Sequence, residues 1–162
     1  MSVQALQGQL RTLRSIIEDL PDDLFKAKIS QASGSVGEHV RHALDHARAL
    51  LALTDGDDLT YDARLRGTPV ETHSDVAACE IGRVCGDLEQ LAAAPPERPI
   101  CLHLIAEAGR RPTQLTSTLG REIGFVVQHT IHHCALIALL LERRGITTPA
   151  RFGYAPSTPA RS

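Results

Sequence analysis

Four segments in which apolar side chains recur every three or four residues constrain the fold of this chain more than any other feature. This spacing gathers the apolar side chains on one face of an α-helix, so each segment predicts an amphipathic helix. Proline residues stop two of the segments, at Pro21 and at Pro95. The predicted helices cover residues 3–20, 33–54, 74–91 and 119–144.

Capping signals support the boundaries of three of these helices. Ser33 to Ser35 open the second helix, and Glu38 stands three positions after Ser35, which is the arrangement of a capping box. Ser74 is predicted to cap the third helix. Gly145 follows the fourth helix at the position where a residue in the left-handed conformation commonly ends a helix.

Two stretches between the helices differ in character. Residues 55–73 are polar and contain glycine and proline, which predicts a long ordered loop, and loops of that length are usually functional or unstructured. Residues 100–106 carry a strand-like apolar run, and residues 114–116 offer a return strand after Gly109. The sequence therefore predicts a short β-hairpin before the last helix.

Together these elements predict an all-α domain, an up-and-down four-helix bundle with a short hairpin. Its core must come from aliphatic side chains, because aromatic residues make up only 3% of the 162 residues and there is no tryptophan. A chain of this length buries roughly 70% of the surface that its unfolded form exposes. We expect one domain over residues 1–145 and a tail over residues 146–162 that packs on it or frays.

Charge and hydropathy argue against two classes of partner. The net charge is −2, and no basic stripe suggests a nucleic-acid surface. The apolar run from Cys134 to Leu141 is far shorter than the ~20 residues that cross a bilayer. The segment from Met1 to Arg14 does not resemble a signal peptide. We therefore expect a soluble, cytoplasmic protein that contacts neither nucleic acid nor membrane.

The four cysteines are spaced irregularly, without a Cys-x-x-Cys pair. In a chain without an export signal, this pattern predicts reduced thiols with mainly structural roles. These cysteines are Cys79, Cys85, Cys101 and Cys134.

Histidine is the compositional outlier, because six of the eight histidines fall into two groups on predicted helices. On the last helix, His129 and His133 are four residues apart, the spacing at which two imidazoles on one helix face reach a shared metal ion. His132 points further toward solvent. No glutamate stands between the pair as in an HExxH metalloprotease, so that class is excluded.

The other group, His39, His42 and His46, shares one side of the second helix. Helical periodicity alone does not choose the third ligand among them, although His39 and His46 lie nearer the centre of the apolar face. A single histidine on a helix is more often a boundary residue than a ligand. The joint pattern of two facing groups is what favours a three-histidine metal site.

Several charged residues are candidates for supporting roles. Glu122 precedes His129 by seven residues on the same face and could orient an imidazole, although an acid in the first helical turn also suits the helix dipole. Asp45 is a weaker candidate, since it falls on the polar side of its helix. Arg64, Arg66 and Arg121 could bind an anionic substrate at the mouth of the bundle, or remain simply solvated.

The string SVGEHVRH on the second helix and the string HTIHH on the last helix resemble motifs of the DinB/YfiT-like superfamily of metal-binding four-helix bundles. The resemblance covers about residues 3–145. It places the family's ligands on His42, His129 and His133, so it prefers His42 to His39 or His46. The H-R-G-Q pattern of many members is missing after the last ligand, where Cys134 follows His133.

The resemblance implies a divalent metal ion, such as zinc, nickel or iron, in a three-histidine site open to water or substrate. The resemblance implies a transferase that uses a low-molecular-weight thiol, and a metal ion with an open position can also activate water, so we expect a metal-dependent hydrolase or such a transferase acting on a small molecule. Two rival hypotheses are a non-catalytic, stress-linked module with a structural ion, and a metal-free helical interaction domain. Since most homo-oligomers are two-fold dimers, we also expect a homodimer.

Overall fold

The computed structural model describes residues 2–30 and 34–159. Ser33 of the predicted cap and the last three residues of the predicted tail lie outside this description. Two of the long helices lie in the first third of the chain, and a short helix separates them. The helices are α1 (Val3–Ile17), α2 (Asp22–Lys26), α3 (Val36–Leu51), α4 (Ser74–Asp87) and α5 (Leu119–Glu142).

A three-stranded sheet accompanies the helices, with β1 (Asp58–Thr60), β2 (Pro99–Leu104) and β3 (Thr113–Thr118) in that order. The antiparallel pair of β2 and β3 confirms the predicted hairpin. The parallel strand β1 lies in the segment that we predicted to be a loop. Three residues are too few to show an alternating pattern, and the pairing partner lies about forty residues further along the chain. The protein is thus mostly helical with a small sheet, and not purely α-helical.

Capping explains where the helices begin. The predicted capping box is present, because Ser35 Oγ accepts a hydrogen bond from Glu38 N and the Glu38 carboxylate accepts one from Ser35 N. The prediction that the Ser74 side chain caps α4 is wrong, because α4 begins at Ser74 and this residue is itself capped. Ser74 N donates to Asp22 Oδ1 at 2.9 Å, so α2 supplies the capping carboxylate for α4. Gly145 has a φ of 73°, as its position after α5 predicted.

Gly37, one residue into α3, allows a close approach of two chain segments. A Cβ atom added at this glycine would lie 2.1 Å from the carbonyl oxygen of Glu71, in the 3-10 turn Pro69–Glu71. Arg41, one turn further along α3, pairs with the side chain of Glu71 at 2.7 Å. The segment between β1 and α4 is therefore held against the first turns of α3.

The packing of the long helices places α3 beside α5. Helix α1 packs against α4 and α5, and α3 packs against the same two helices. The core between them is aliphatic, as the composition predicted. Its fully buried side chains include Leu6, Leu10, Leu13, Ile17, Leu44, Leu50, Ile81 and Leu88.

Helix α5 is long and apolar enough to cross a membrane by length and composition alone. Half of its most apolar segment is buried inside the protein, which is how a core helix behaves, so this is weak evidence for a membrane span. The tail after α5 also joins the fold, because Phe152 is buried in the core and Ile146 packs against it.

Candidate metal centre

Three histidine side chains from two helices meet between α3 and α5. His42 comes from α3, while His129 and His133 stand one turn apart on α5. The Nε2 atom of His129 lies 3.1 Å from Nε2 of His42 and 3.1 Å from Nε2 of His133. All three nitrogens lie within 4.8 Å of one another. The structure therefore brings together the three residues that the resemblance named.

The spacing of these nitrogens suits one shared metal ion. Tetrahedral bonds of 2.0–2.1 Å to imidazole nitrogens would separate the ligand atoms by about 3.4 Å. Each Nε2 carries either one proton or one lone pair, so Nε2 of His129 cannot donate to both of its neighbours. A cation among the three nitrogens would accept all three lone pairs, which hydrogen bonds among the rings do not achieve.

Burial keeps these imidazoles neutral, which is the form that binds a metal. Burial is the main cause that lowers the pKa of His42 to about 3, and the neighbouring histidines lower it further. The same causes lower the pKa of His129 to about 4 and that of His133 to about 2. At neutral pH, protons therefore do not compete for the ligand lone pairs.

His39 lies beside the cluster and faces the Nδ1 atom of His133, the ring nitrogen that is not directed at the other two histidines. The Nδ1 atoms of His39 and His133 are 3.0 Å apart. If Nε2 of His133 faces a metal, its Nδ1 carries the proton and donates it to His39, which sets the orientation of the ring. His39, which the helical wheel had offered as a ligand, is thus placed as an orienting partner.

His46 forms one wall of the cluster. Its side chain is buried, its Nδ1 lies 3.0 Å from the carbonyl oxygen of His42, and its ring stacks on that of His129 with 4.0 Å between centroids. The ring of Tyr61 also stacks on that of His46, with 4.9 Å between centroids. His46 therefore packs against the rings of His42 and His129, and the group of three candidate ligand nitrogens does not include it.

Glu122 is fully buried and reaches the histidines through Tyr61 and His46. The Tyr61 hydroxyl donates to Glu122 Oε2 at 2.8 Å, and both Ser117 and Arg121 donate to the other oxygen. Burial, followed by the Glu122 charge, raises the pKa of Tyr61 above its usual range. Tyr61 was not predicted from the sequence, because the segment that carries it has no periodic pattern of apolar residues.

Asp45 was predicted to lie on the polar side of α3, and this prediction is wrong, because its side chain is buried. One carboxylate oxygen accepts a hydrogen bond from Arg41 at 2.7 Å and the other accepts one from Arg48 at 3.2 Å. These bonds tie Asp45 to an ion-pair network between α3 and α4, in which Arg48 also pairs with Glu80. Asp45 is therefore a structural residue in this arrangement.

The three candidate arginines have different surroundings. Arg64 and Arg66 line an open cavity of about 540 Å³ together with Asp62, Ile105 and Ala108. The positive charge of Arg64 is among the smaller causes that lower the pKa values of His42 and His129. Arg121 pairs with Glu122 and lies over the Phe125 ring, so its guanidinium is already engaged.

Comparisons with known proteins identify the family of this chain. One similar protein, FK506-binding protein 5 of Rhizopus delemar, is 32% identical over 101 residues. The match covers 62% of this chain but only 26% of that protein. Residues 5–137, which include all three clustered histidines, match the DinB superfamily. The chain belongs to the DinB superfamily.

Proposed function

We propose that this chain binds one divalent metal ion through Nε2 of His42, His129 and His133, and uses it as a metal-dependent hydrolase or a thiol-dependent transferase. The convergence of three neutral imidazole nitrogens carries the proposal. Its substrate would be a small molecule, and its second reactant water or a low-molecular-weight thiol.

A divalent ion with three nitrogen ligands and one open position acts as a Lewis acid and lowers the pKa of a coordinated water or thiol toward neutrality. The protein's own residues prepare the site for that ion. His39 orients His133, and burial keeps the ligand nitrogens unprotonated. Arg64, at the open cavity, offers a positive charge to an anionic group of the substrate.

The metal would be zinc, nickel or iron, because imidazole nitrogen suits all three. We also propose that the four long helices form an up-and-down bundle, which the contacts of α1 and α3 with α4 and α5 support. A soluble cytoplasmic location and a homodimer complete the proposal.

Metal content tests the site directly. The protein would be purified without a histidine tag, and its metals quantified in the wild type, in His129→Ala and in His132→Ala. His132 is the matched control, because it lies on the same helix but is exposed. We expect His129→Ala to lose affinity for the ion by about 100-fold or more, since removal of even an outer-shell partner costs 10–100-fold. Unchanged binding in His129→Ala would overturn the proposal.

Activity is tested next, on the metal-loaded protein. Thiol cofactors would be screened with small electrophiles, and ester or amide substrates would be screened with water alone. Turnover that requires both the metal and His129 supports an enzyme. Metal binding without turnover in either screen would instead support the non-catalytic module.

A further inference from the structure

The outer face of the small sheet carries a second group of metal-ligating side chains. Along β2, Ile100 and Leu102 are buried in the core, while Cys101 and His103 alternate with them on the opposite face. Asp58 on β1 pairs in register with Cys101. Strand alternation and register therefore place one carboxylate, one thiol and one imidazole on the same face.

One distance in this group matches the separation of two ligands on a single zinc ion. The Cys101 Sγ and His103 Nε2 atoms are 3.6 Å apart, and all three candidate ligand atoms lie within 4.8 Å of one another. Tetrahedral zinc bonds of about 2.3 Å to sulfur and 2.0–2.1 Å to nitrogen would separate those two atoms by about 3.6 Å. Cys101 and His103 thus already have the spacing of two zinc ligands.

Asp58 needs only a small movement to become the third ligand. Its Oδ1 atom lies 2.6 Å from His103 Nε2, and a shared zinc ion would widen that separation to about 3.4 Å. The Asp58 side chain is 78% exposed, so rotation meets no packing resistance. An aspartate is ionised at neutral pH, which is the form that ligates a metal.

We propose that Asp58, Cys101 and His103 form a second metal site, which takes a zinc-class divalent ion and is separate from the three-histidine cluster. The mixed set of sulfur, nitrogen and oxygen ligands suits zinc better than calcium or magnesium, which prefer oxygen alone. As the sulfur–metal bond forms, the Cys101 thiol gives its proton to solvent. A water molecule would supply the fourth ligand, since zinc is usually four-coordinate.

This second ion would tie β1 to β2. Strand β1 is only three residues long, and Tyr61, which stacks on His46, follows it directly. A metal bridge from Asp58 to Cys101 and His103 would therefore hold the segment that carries Tyr61 beside the three-histidine cluster.

Cobalt(II) is the probe that separates the two sites. A cobalt ion bound to thiolate shows a sulfur-to-metal charge-transfer absorption in the near ultraviolet, whereas the three-histidine cluster contains no sulfur. Titration of the tag-free 162-residue chain should give this absorption in the wild type and in His129→Ala. Cys79→Ser is the matched control, because Cys79 is an exposed thiol outside the group, and it should keep the absorption.

Cys101→Ser should abolish the absorption, and His103→Asn should weaken cobalt binding at this site by about 100-fold. Circular dichroism would confirm that both variants remain folded, as their outward-facing positions lead us to expect. Absence of the absorption in the wild type, or its persistence in Cys101→Ser, would overturn the second site. Either result leaves the three-histidine proposal standing, because that proposal is tested by His129→Ala.

Discussion

The two sides of the helical core differ in what they bury. On α1, Leu6, Leu10 and Leu13 are fully buried apolar side chains that pack toward α4 and α5. Between α3 and α5, the buried positions include His46 and His133. The first side contributes free energy of folding through apolar burial. The second side gains less free energy from apolar burial, because its buried imidazoles are polar and need hydrogen-bond partners or a metal ion.

The largest effect is expected on the apolar side. Leu10→Ala should lower the free energy of unfolding by about 2–5 kcal/mol, because it removes a buried side chain and leaves a cavity. Metal affinity of the folded variant should not change. Urea unfolding measures the first quantity and metal titration the second. Leu139→Ala, at an exposed position of α5, should change stability by less than about 0.5 kcal/mol.

A loss of metal affinity in Leu10→Ala comparable to that in His129→Ala would contradict the comparison. It would mean that the histidine cluster depends on the apolar side for its geometry.

Metal binding to the three-histidine cluster should raise the free energy of unfolding of the protein. A free metal concentration of 100 times the dissociation constant should raise the free energy of unfolding by about 2.7 kcal/mol. Thermal or urea unfolding of Cys101→Ser measures this increase, because that variant lacks a ligand of the proposed second site on the sheet. The same addition to the double variant that also carries His129→Ala should give no comparable increase. Equal stabilisation of both proteins would place the ion elsewhere.

The contact from Tyr61 to Glu122 should matter less than a ligand. Tyr61→Phe leaves a buried carboxylate with one donor fewer, which should cost about 1–2 kcal/mol of stability. Metal affinity should fall by about tenfold or less, since Tyr61 contacts the ligand His129 indirectly, through His46 and Phe125. Tyr154→Phe is the control, because that tyrosine is 50% exposed. Identical behaviour of the two variants would show that the hydrogen bond has no role.

The smallest effect concerns the ion pairs that join α4 to α3. Hydrogen bonds from Arg83 and Arg48 lower the pKa of Glu80 to about 2 in the folded protein. Its contribution to stability is therefore present above the unfolded value of about 4.3 and is lost as the pH falls through about 2. The contribution should stay below about 1 kcal/mol, since Arg83 is well exposed.

The difference in unfolding free energy between the wild type and Glu80→Gln should shrink across that pH interval. Urea unfolding at several pH values measures it. A difference that grows as the pH falls would reverse the sign of this argument.

Local patterns in the sequence predicted the helices well, because the apolar spacing and the capping box involve residues close together in the chain. They failed where partners are distant. Strand β1 pairs with β2, Asp22 caps α4, and Tyr61 meets Glu122, and no local pattern records these contacts. Asp45 has local partners, Arg41 and Arg48 on the same helix, but its burial depends on the packing of α3 against α4, which no local pattern records.

The candidate cluster was predicted in part. The four-residue spacing of His129 and His133 identified their shared face, but an ideal helical wheel could not choose His42 over His39 and His46. Side chains on a helix lean toward its N-terminus, and the position of the facing helix decides which of them meet it. The family motif supplied that choice, and the structure places His42 with the pair.

Gly37 shows how a position without any side chain can govern distant chemistry. Replacement of its hydrogen by a methyl group would force the backbone at Glu71 away from α3, since no room exists for an added carbon. The same segment carries Tyr61 and Arg64. Its outward shift would move these two side chains away from the histidines without altering any histidine. A survey of variants restricted to the ligand residues would overlook this close backbone contact.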